Sequence, residues 1–195
     1  MKEVWAIILA AGASTRMKRQ KLLLPFNGKT IIETVVENAA RSVNSNILVV
    51  LGSHREQILE QIVNYQVKFC VNENYLDGML SSVICGFNAL PFEAEAALIF
   101  LADQPHIPSK VTDLVTETWQ KSGKGIVIPT FNGRRGHPVL IETRYKSEIE
   151  KLDPHRGLRT LSEIFKEDVT EVESDFAEIL RDIDTPEEYG EIIKI

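Results

Sequence analysis

Apolar runs of strand length alternate with segments of helical period along almost the whole chain. That alternation restricts the fold more than any other feature of the sequence. Strands are expected at residues 4–9, 47–51, 67–71, 96–101, 126–128 and 139–141, with further extended segments at 169–172 and 179–183. Between them lie helical patterns. Thr30 and Glu33 form a capping box that opens a helix with Ile31, Val35 and Ala39 on one face. Ser53 and Glu56 suggest a second box, ahead of Ile58, Leu59 and Ile62. Residues 79–90 read as helical, Ser109 is placed to cap a helix up to Lys121, and two short helices follow at 145–152 and 158–166. Pro186 is a good first residue for a last helix.

Strands that alternate with helices build βαβ units and a largely parallel sheet covered on both faces. No internal repeat, low-complexity tract or linker interrupts the pattern, so residues 1–195 are expected to form a single domain. Ligands of such sheets bind beyond the carboxyl ends of the strands. The loops after Leu9, Val71, Leu101 and Ile183 are therefore where chemistry is expected.

Composition excludes several functions. The chain carries 28 acidic and 22 basic residues, a formal charge of −6, without the basic footprint of a nucleic-acid binder. A phosphorylated ligand would have to be held locally, by a few basic groups, backbone N–H groups or a metal. No apolar stretch approaches the length of a membrane span. Met1, Lys2 and the run that follows could open a signal peptide, with Ala11-Gly12-Ala13 as a cleavage site. One basic residue and a short run favour a buried strand instead. Cys70 and Cys85 form no disulfide framework and no metal spacing, and are expected to be small core residues in a reducing, cytoplasmic setting. His54, His106, His137 and His155 are scattered, which argues against zinc.

The loop after the first strand reads Leu9-Ala10-Ala11-Gly12-Ala13-Ser14-Thr15-Arg16-Met17, and Lys21-Leu22-Leu23-Leu24-Pro25 follows. Small residues allow close backbone approach, Arg16 offers a planar fork for phosphate oxygens, and Lys21 offers a compact charge. There is no GxGxxG, and Asn27-Gly28-Lys29-Thr30 lacks the first glycine of a P-loop, so it reads as a turn.

This run resembles the signature of nucleotidyltransferases of molybdenum cofactor biosynthesis, and within them the molybdenum cofactor cytidylyltransferases. Further segments match in order: Asn72 to Gly86, Leu101-Ala102-Asp103-Gln104-Pro105, Gly136-His137-Pro138-Val139, and Asp182-Ile183-Asp184-Thr185-Pro186-Glu187-Glu188. The resemblance implies an α/β fold, a three-layer Rossmann-like nucleotidyltransferase fold with a mostly parallel mixed sheet. It implies transfer of CMP from CTP to the terminal phosphate of molybdopterin, with Mg²⁺ and release of pyrophosphate. It also implies a transient contact with a molybdoenzyme or its chaperone.

Site roles follow from the same resemblance. Arg16 would hold the β- and γ-phosphates, Lys21 the charge developing at the α-phosphate, and Asp103 and Asp184 the metal. Asp182 remains an alternative to Asp184. Leu9, Ala10, Ala11, Gly12, Asn72, Gly78 and Ser82 would bind the nucleotide. Ala11 favours CTP, because LAAG accompanies CTP and LAGG accompanies GTP in this group. His137, Arg156 and Arg159 would face the acceptor. The chain departs from the family pattern at Lys18, where a glycine is usual, and at His155, where an aspartate is usual. Other readings are transfer with GTP, transfer to a sugar or alcohol phosphate, and a non-catalytic protein that binds and delivers the cofactor.

Overall fold

The computed structural model describes residues 3–17, 19–43 and 46–192. The strands are β1 (Val4–Ala10), β2 (Pro25–Phe26), β3 (Lys29–Thr30), β4 (Ile47–Leu51), β5 (Lys68–Val71), β6 (Ala96–Leu101), β7 (Ile126–Phe131), β8 (Arg134–Arg135), β9 (Val139–Glu142) and β10 (Val169–Glu173). The α-helices are α1 (Ile31–Ala40), α2 (Arg55–Ile62), α3 (Met79–Ala89), α4 (Ser109–Ser122), α5 (Lys146–Ile149), α6 (Arg159–Ile164) and α7 (Pro186–Ile192).

The main sheet runs β10-β7-β9-β6-β1-β4-β5, with β8 paired to β7. Parallel pairing joins β1 to β4 and β6, β4 to β5, and β7 to β10, whereas β9 runs antiparallel to both β6 and β7. The sheet is thus mixed and mostly parallel, as expected. In β1, Val4, Ala6, Ile8 and Ala10 enter one core with α1, α2 and α4. Trp5 and Ile7 enter the other with α3, α5 and α6. Successive strand residues point to opposite faces, so a strand covered on both sides must be apolar throughout. That is why 4–10 reads as a continuous run. Each fully buried Ile or Leu here contributes roughly 1.5–3 kcal/mol. Because β1, β4 and β6 are parallel, their carboxyl ends share one edge, and the loops beyond that edge meet.

The capping box of α1 is present: Thr30 N–H donates to Glu33 Oε2 at 2.7 Å, and Glu33 N–H donates to Thr30 Oγ1 at 3.3 Å. Asn27 and Gly28 form the two-residue turn between β2 and β3, both at positive φ (49° and 82°). Three expectations fail. The box at Ser53 and Glu56 does not form. Ser53 N–H donates to the Ala11 carbonyl, and left-handed His54 stands before α2 without a side-chain cap. Ser109 is the first helical residue of α4 rather than its cap, and extended Pro108 occupies the cap position. Residues 179–183 are not a strand. A 3-10 turn covers Ala177–Leu180, and Ile179 and Ile183 are fully buried as anchors of an irregular segment. Their apolarity reflects burial, not a ladder.

Candidate active site

The loop after β1 is organised from within. Ser14 takes a positive φ of 51°, and its hydroxyl donates to Gln20 Oε1 at 2.7 Å. The same oxygen accepts from Leu22 N–H, while the Gln20 amide donates to the Gly12 carbonyl. Gln20 is buried, and no motif in the sequence pointed to it. Its bonds fold the loop so that Arg16 and Lys21 face the carboxyl ends of the strands.

There, residues far apart in sequence converge. Lys21 Nζ lies 2.5 Å from Asp103 Oδ2 and 2.7 Å from Asp184 Oδ1. Arg16 Nη1 lies 2.7 Å from Asp184 Oδ2. The Lys21 side chain is 14% exposed and that of Arg16 is 72% exposed, so one cation sits inside the cleft and the other at its mouth. Burial alone would lower the Lys21 pKa, but the Asp103 charge and bonds to both carboxylates reverse that and raise it. The hydrogen bond from Lys21 holds Asp184 below the ordinary carboxylate range. Burial pushes Asp182 the other way, and the neighbouring Asp103 and Asp184 charges add to that.

These groups line a cleft of about 390 Å³, together with Leu9, Gly12, Met79 and Asp182. Ala10 and Ala11 are buried and stand behind the wall rather than in it. Ala11 is fixed by Gly52. A Cβ at Gly52 would lie 2.8 Å from both the Cβ and the carbonyl oxygen of Ala11, so only glycine permits this approach. Asn72 is buried, and its amide is already engaged. Nδ2 donates to Ser81 and Ser82 at 2.8 and 3.0 Å, and Oδ1 accepts from Asn74 N–H. Asn72 and Ser82 thus shape the turn that leads through Gly78 into α3, and Met79 carries that segment to the cleft wall.

A second cavity of about 250 Å³ shares Leu9 and Met79 with the first. Its wall is mostly apolar, from Ile99, Ile126, Ile128, Val139 and Ile141, and its polar groups include His137, Arg156 and Arg159. Burial drives the His137 pKa down to about 4 against the opposing pull of Asp103, so the imidazole is neutral at pH 7. Gly136 lets this loop press on the segment after β10: a Cβ there would lie 2.5 Å from the Ile179 carbonyl oxygen. Arg156 pairs with Glu163 at 2.5 Å, and Arg135 pairs with Glu171. Arg159 makes no ion pair among the described residues. His155 is exposed, and its N–H donates to Asp153. Lys18 lies outside the described residues.

Cys70 on β5 and Cys85 on α3 are half-buried, with their sulfurs 3.5 Å apart. Among the described residues no helix is long and apolar enough to cross a membrane. None of them forms a group of three or more His, Cys, Asp or Glu suited to a metal ion. Of the three acidic residues at the cleft, Asp103 and Asp184 share the Lys21 ammonium, and Asp184 also pairs with Arg16.

The family model of the MobA-like NTP transferase domain matches residues 6–171. The molybdenum cofactor cytidylyltransferase of Escherichia coli K12 is 29% identical over 190 residues, covering 97% of this chain and 95% of that protein. A probable molybdenum cofactor guanylyltransferase of Methanosarcina mazei is also 29% identical, over 86% of this chain and 77% of the relative. The crystal structure of Rv0371c from Mycobacterium tuberculosis H37Rv superposes with a TM-score of 0.88 at 20% identity, covering 100% of this chain and 98% of that one.

Proposed function

Since the chain belongs to the MobA-like NTP transferase family and is a nucleotidyltransferase, we propose that it transfers CMP from CTP to the terminal phosphate of molybdopterin, in the cytoplasm and with Mg²⁺, releasing pyrophosphate. One observation carries this reading. Lys21 is clasped by Asp103 and Asp184, from two separate loops, at the inner end of a cleft whose mouth holds Arg16. A protein that merely delivers a cofactor has no use for that constellation.

The carboxylate pair fits a divalent cation. Asp103 and Asp184 already point oxygens at a shared positive charge. Two carboxylates, with the remaining positions left to water and phosphate oxygens, suit Mg²⁺ better than an all-protein cage does. When bound, the ion supplies Lewis-acid stabilisation of phosphate charge. Arg16, exposed and planar, takes the β- and γ-phosphates. Lys21 faces the α-phosphate, where its charge meets that developing in the transition state. An acceptor phosphate oxygen attacks the α-phosphorus in line, the bond to the bridging oxygen breaks, and pyrophosphate leaves. The attacking oxygen is already an anion, so no general base is required. His137 is neutral and serves as a hydrogen-bonding group, while Arg159 is available to the acceptor's anion. Leu9 and Gly12 place backbone against the nucleotide, with the turn at Gly78 and Met79 opposite. Ala11 acts on the base through the backbone it fixes, and it favours CTP.

A second reading keeps the chemistry and changes a substrate. His155 stands where the family pattern has an aspartate, and Arg156 is tied to Glu163. Both favour another phosphorylated acceptor, a sugar or alcohol phosphate.

The test is pyrophosphate release by the full chain with Mg²⁺ and molybdopterin, comparing CTP, GTP, ATP and UTP. Release with CTP alone is expected, and Asp103→Asn is expected to abolish it while nucleotide still binds. Release with GTP alone would reassign the base. Turnover that survives Asp103→Asn would overturn the metal assignment.

A further inference from the structure

Asp184 sits on a segment that no ladder holds. Residues 181–184 have no regular secondary structure, yet the Asp184 carboxylate must stand beside that of Asp103. One backbone bond helps, from Ile183 N–H to the Asp103 carbonyl at 3.1 Å. Arg181 N–H donates to the Glu178 carbonyl and Asp184 N–H to Glu188 Oε2 at 2.8 Å, so these bonds tie the backbone to its own neighbours, and the Ile183 bond ties it to Asp103. The second tie is a side-chain one: Gln104 Nε2 donates to Asp182 Oδ1 at 2.6 Å. Gln104 is only 4% exposed, whereas the ionic tie through Lys21 faces the cleft. We propose that Gln104, by gripping Asp182, is the positioning residue that holds Asp184 against Asp103.

The geometry separates the two ties by what happens in use. When Lys21 turns its charge to the α-phosphate it gives up part of its hold on the two aspartates, a consequence that rests on the function proposed above. Once Lys21 turns away, two carboxylates face each other and repel. The Gln104–Asp182 bond is untouched by that event, because neither atom belongs to the Lys21 cluster. Gln104 follows Asp103 directly, and Asp182 lies two residues before Asp184. The bond therefore fixes the two metal-facing carboxylates at one spacing, as second-layer hydrogen bonds to a metal site do. A neutral amide suits the place: it donates to Asp182 without adding a charge that would compete with the cation. Asp182 thereby becomes the anchor of the segment, and Asp184 the ligand.

The experiment compares three full-length variants. Asp182→Ala removes charge and acceptor, Asp182→Asn removes the charge and keeps an acceptor oxygen, and Gln104→Met removes the donor at similar volume. Mn²⁺ binding is titrated by the electron paramagnetic resonance of free Mn²⁺, with thermal melts to confirm folding. Asp182→Ala and Gln104→Met are expected to weaken Mn²⁺ about tenfold, and Asp182→Asn clearly less. Equal losses in the two Asp182 variants would show that charge matters and the hydrogen bond does not, which overturns the proposal. So would unchanged affinity in Gln104→Met. A crystal structure of metal-free Asp182→Ala gives a reading independent of the metal: Lys21 is expected to keep Asp103 and lose Asp184. An intact Lys21–Asp184 pair there overturns the proposal. If the wild-type protein takes up no Mn²⁺, the metal reading fails by itself, and this structure alone decides the role of Gln104.

Discussion

Acidification should destabilise this protein through His137. Burial holds the imidazole at a pKa of about 4, against 6.5 for a free histidine. A histidine whose pKa is depressed on folding resists protonation in the native state, so above 6.5 neither state binds the proton and nothing is lost. As pH falls below 6.5 the unfolded chain takes up the proton first, and stability declines until about pH 4 is passed. A shift from 6.5 to about 4 corresponds to about 2 kcal/mol lost by about pH 5 and roughly 3.4 kcal/mol in full, at 1.36 kcal/mol per unit. With a urea slope of ~3 kcal/mol/M for a chain of this size, the loss at about pH 5 moves the midpoint down by roughly 0.7 M. Other groups titrate in the same range, so the assay is a difference. Urea unfolding is followed for the wild type and for His137→Gln at about pH 8, 6.5 and 5. The wild type is expected to lose about 2 kcal/mol more than the variant between the ends of that range. Parallel decline of the two proteins would refute the burial argument, and with it the neutral imidazole assigned to the acceptor cavity.

Lys21→Met leaves the Asp103 and Asp184 carboxylates without their shared cation, and it removes the charge proposed to face the α-phosphate. The rate of pyrophosphate release is expected to fall by about 10²–10³, with nucleotide still bound, and an unchanged rate would remove Lys21 from the site. Gly136→Ala puts a methyl 2.5 Å from the Ile179 carbonyl oxygen. A cost of ~1–3 kcal/mol in urea unfolding is expected, and a neutral result would mean that the two segments separate easily. The Cys70 thiol is pushed up to about 12 by burial and by Cys85. Its reaction with a disulfide reagent at pH 7 should therefore be slow in the native protein and fast in urea, as measured by thiolate release.

The layers of this fold were legible because their signals are periodic. β1 is apolar at every position since both faces are covered, and α1 announces itself through Thr30, Glu33 and a stripe at Ile31, Val35 and Ala39. The failures have two causes. At Ser53 and residues 179–183 tertiary contacts override correct local chemistry, and at Ser109 the adjacent Pro108 does. The Ser53 N–H is claimed by Ala11, Pro108 takes the cap position ahead of Ser109, and Ile179 and Ile183 are buried by neighbours rather than by pairing.

The site divides along the same line. Arg16 and Lys21 stand out in sequence as basic residues in a small-residue loop, whereas Asp103 and Asp184 are marked mainly by the family resemblance of the segments that carry them. Groups that hold those charges in place carry no such mark. Gln20 folds the loop after β1 from a position between two basic residues, Gly52 matters only through a Cβ it lacks, and Gln104 enters the sequence reading only as the residue between Asp103 and Pro105. Each acts through a contact with a residue distant in the chain or across a folded loop, and such contacts exist only once the strands have set their register. Asn72 shows the converse. It looked like a ligand-binding amide, but its bonds to Ser81, Ser82 and Asn74 leave it shaping the turn instead. Polar residue type reports that a hydrogen bond will be made. The folded neighbours decide whether it is spent on a ligand or on the frame that holds the ligand's true contacts.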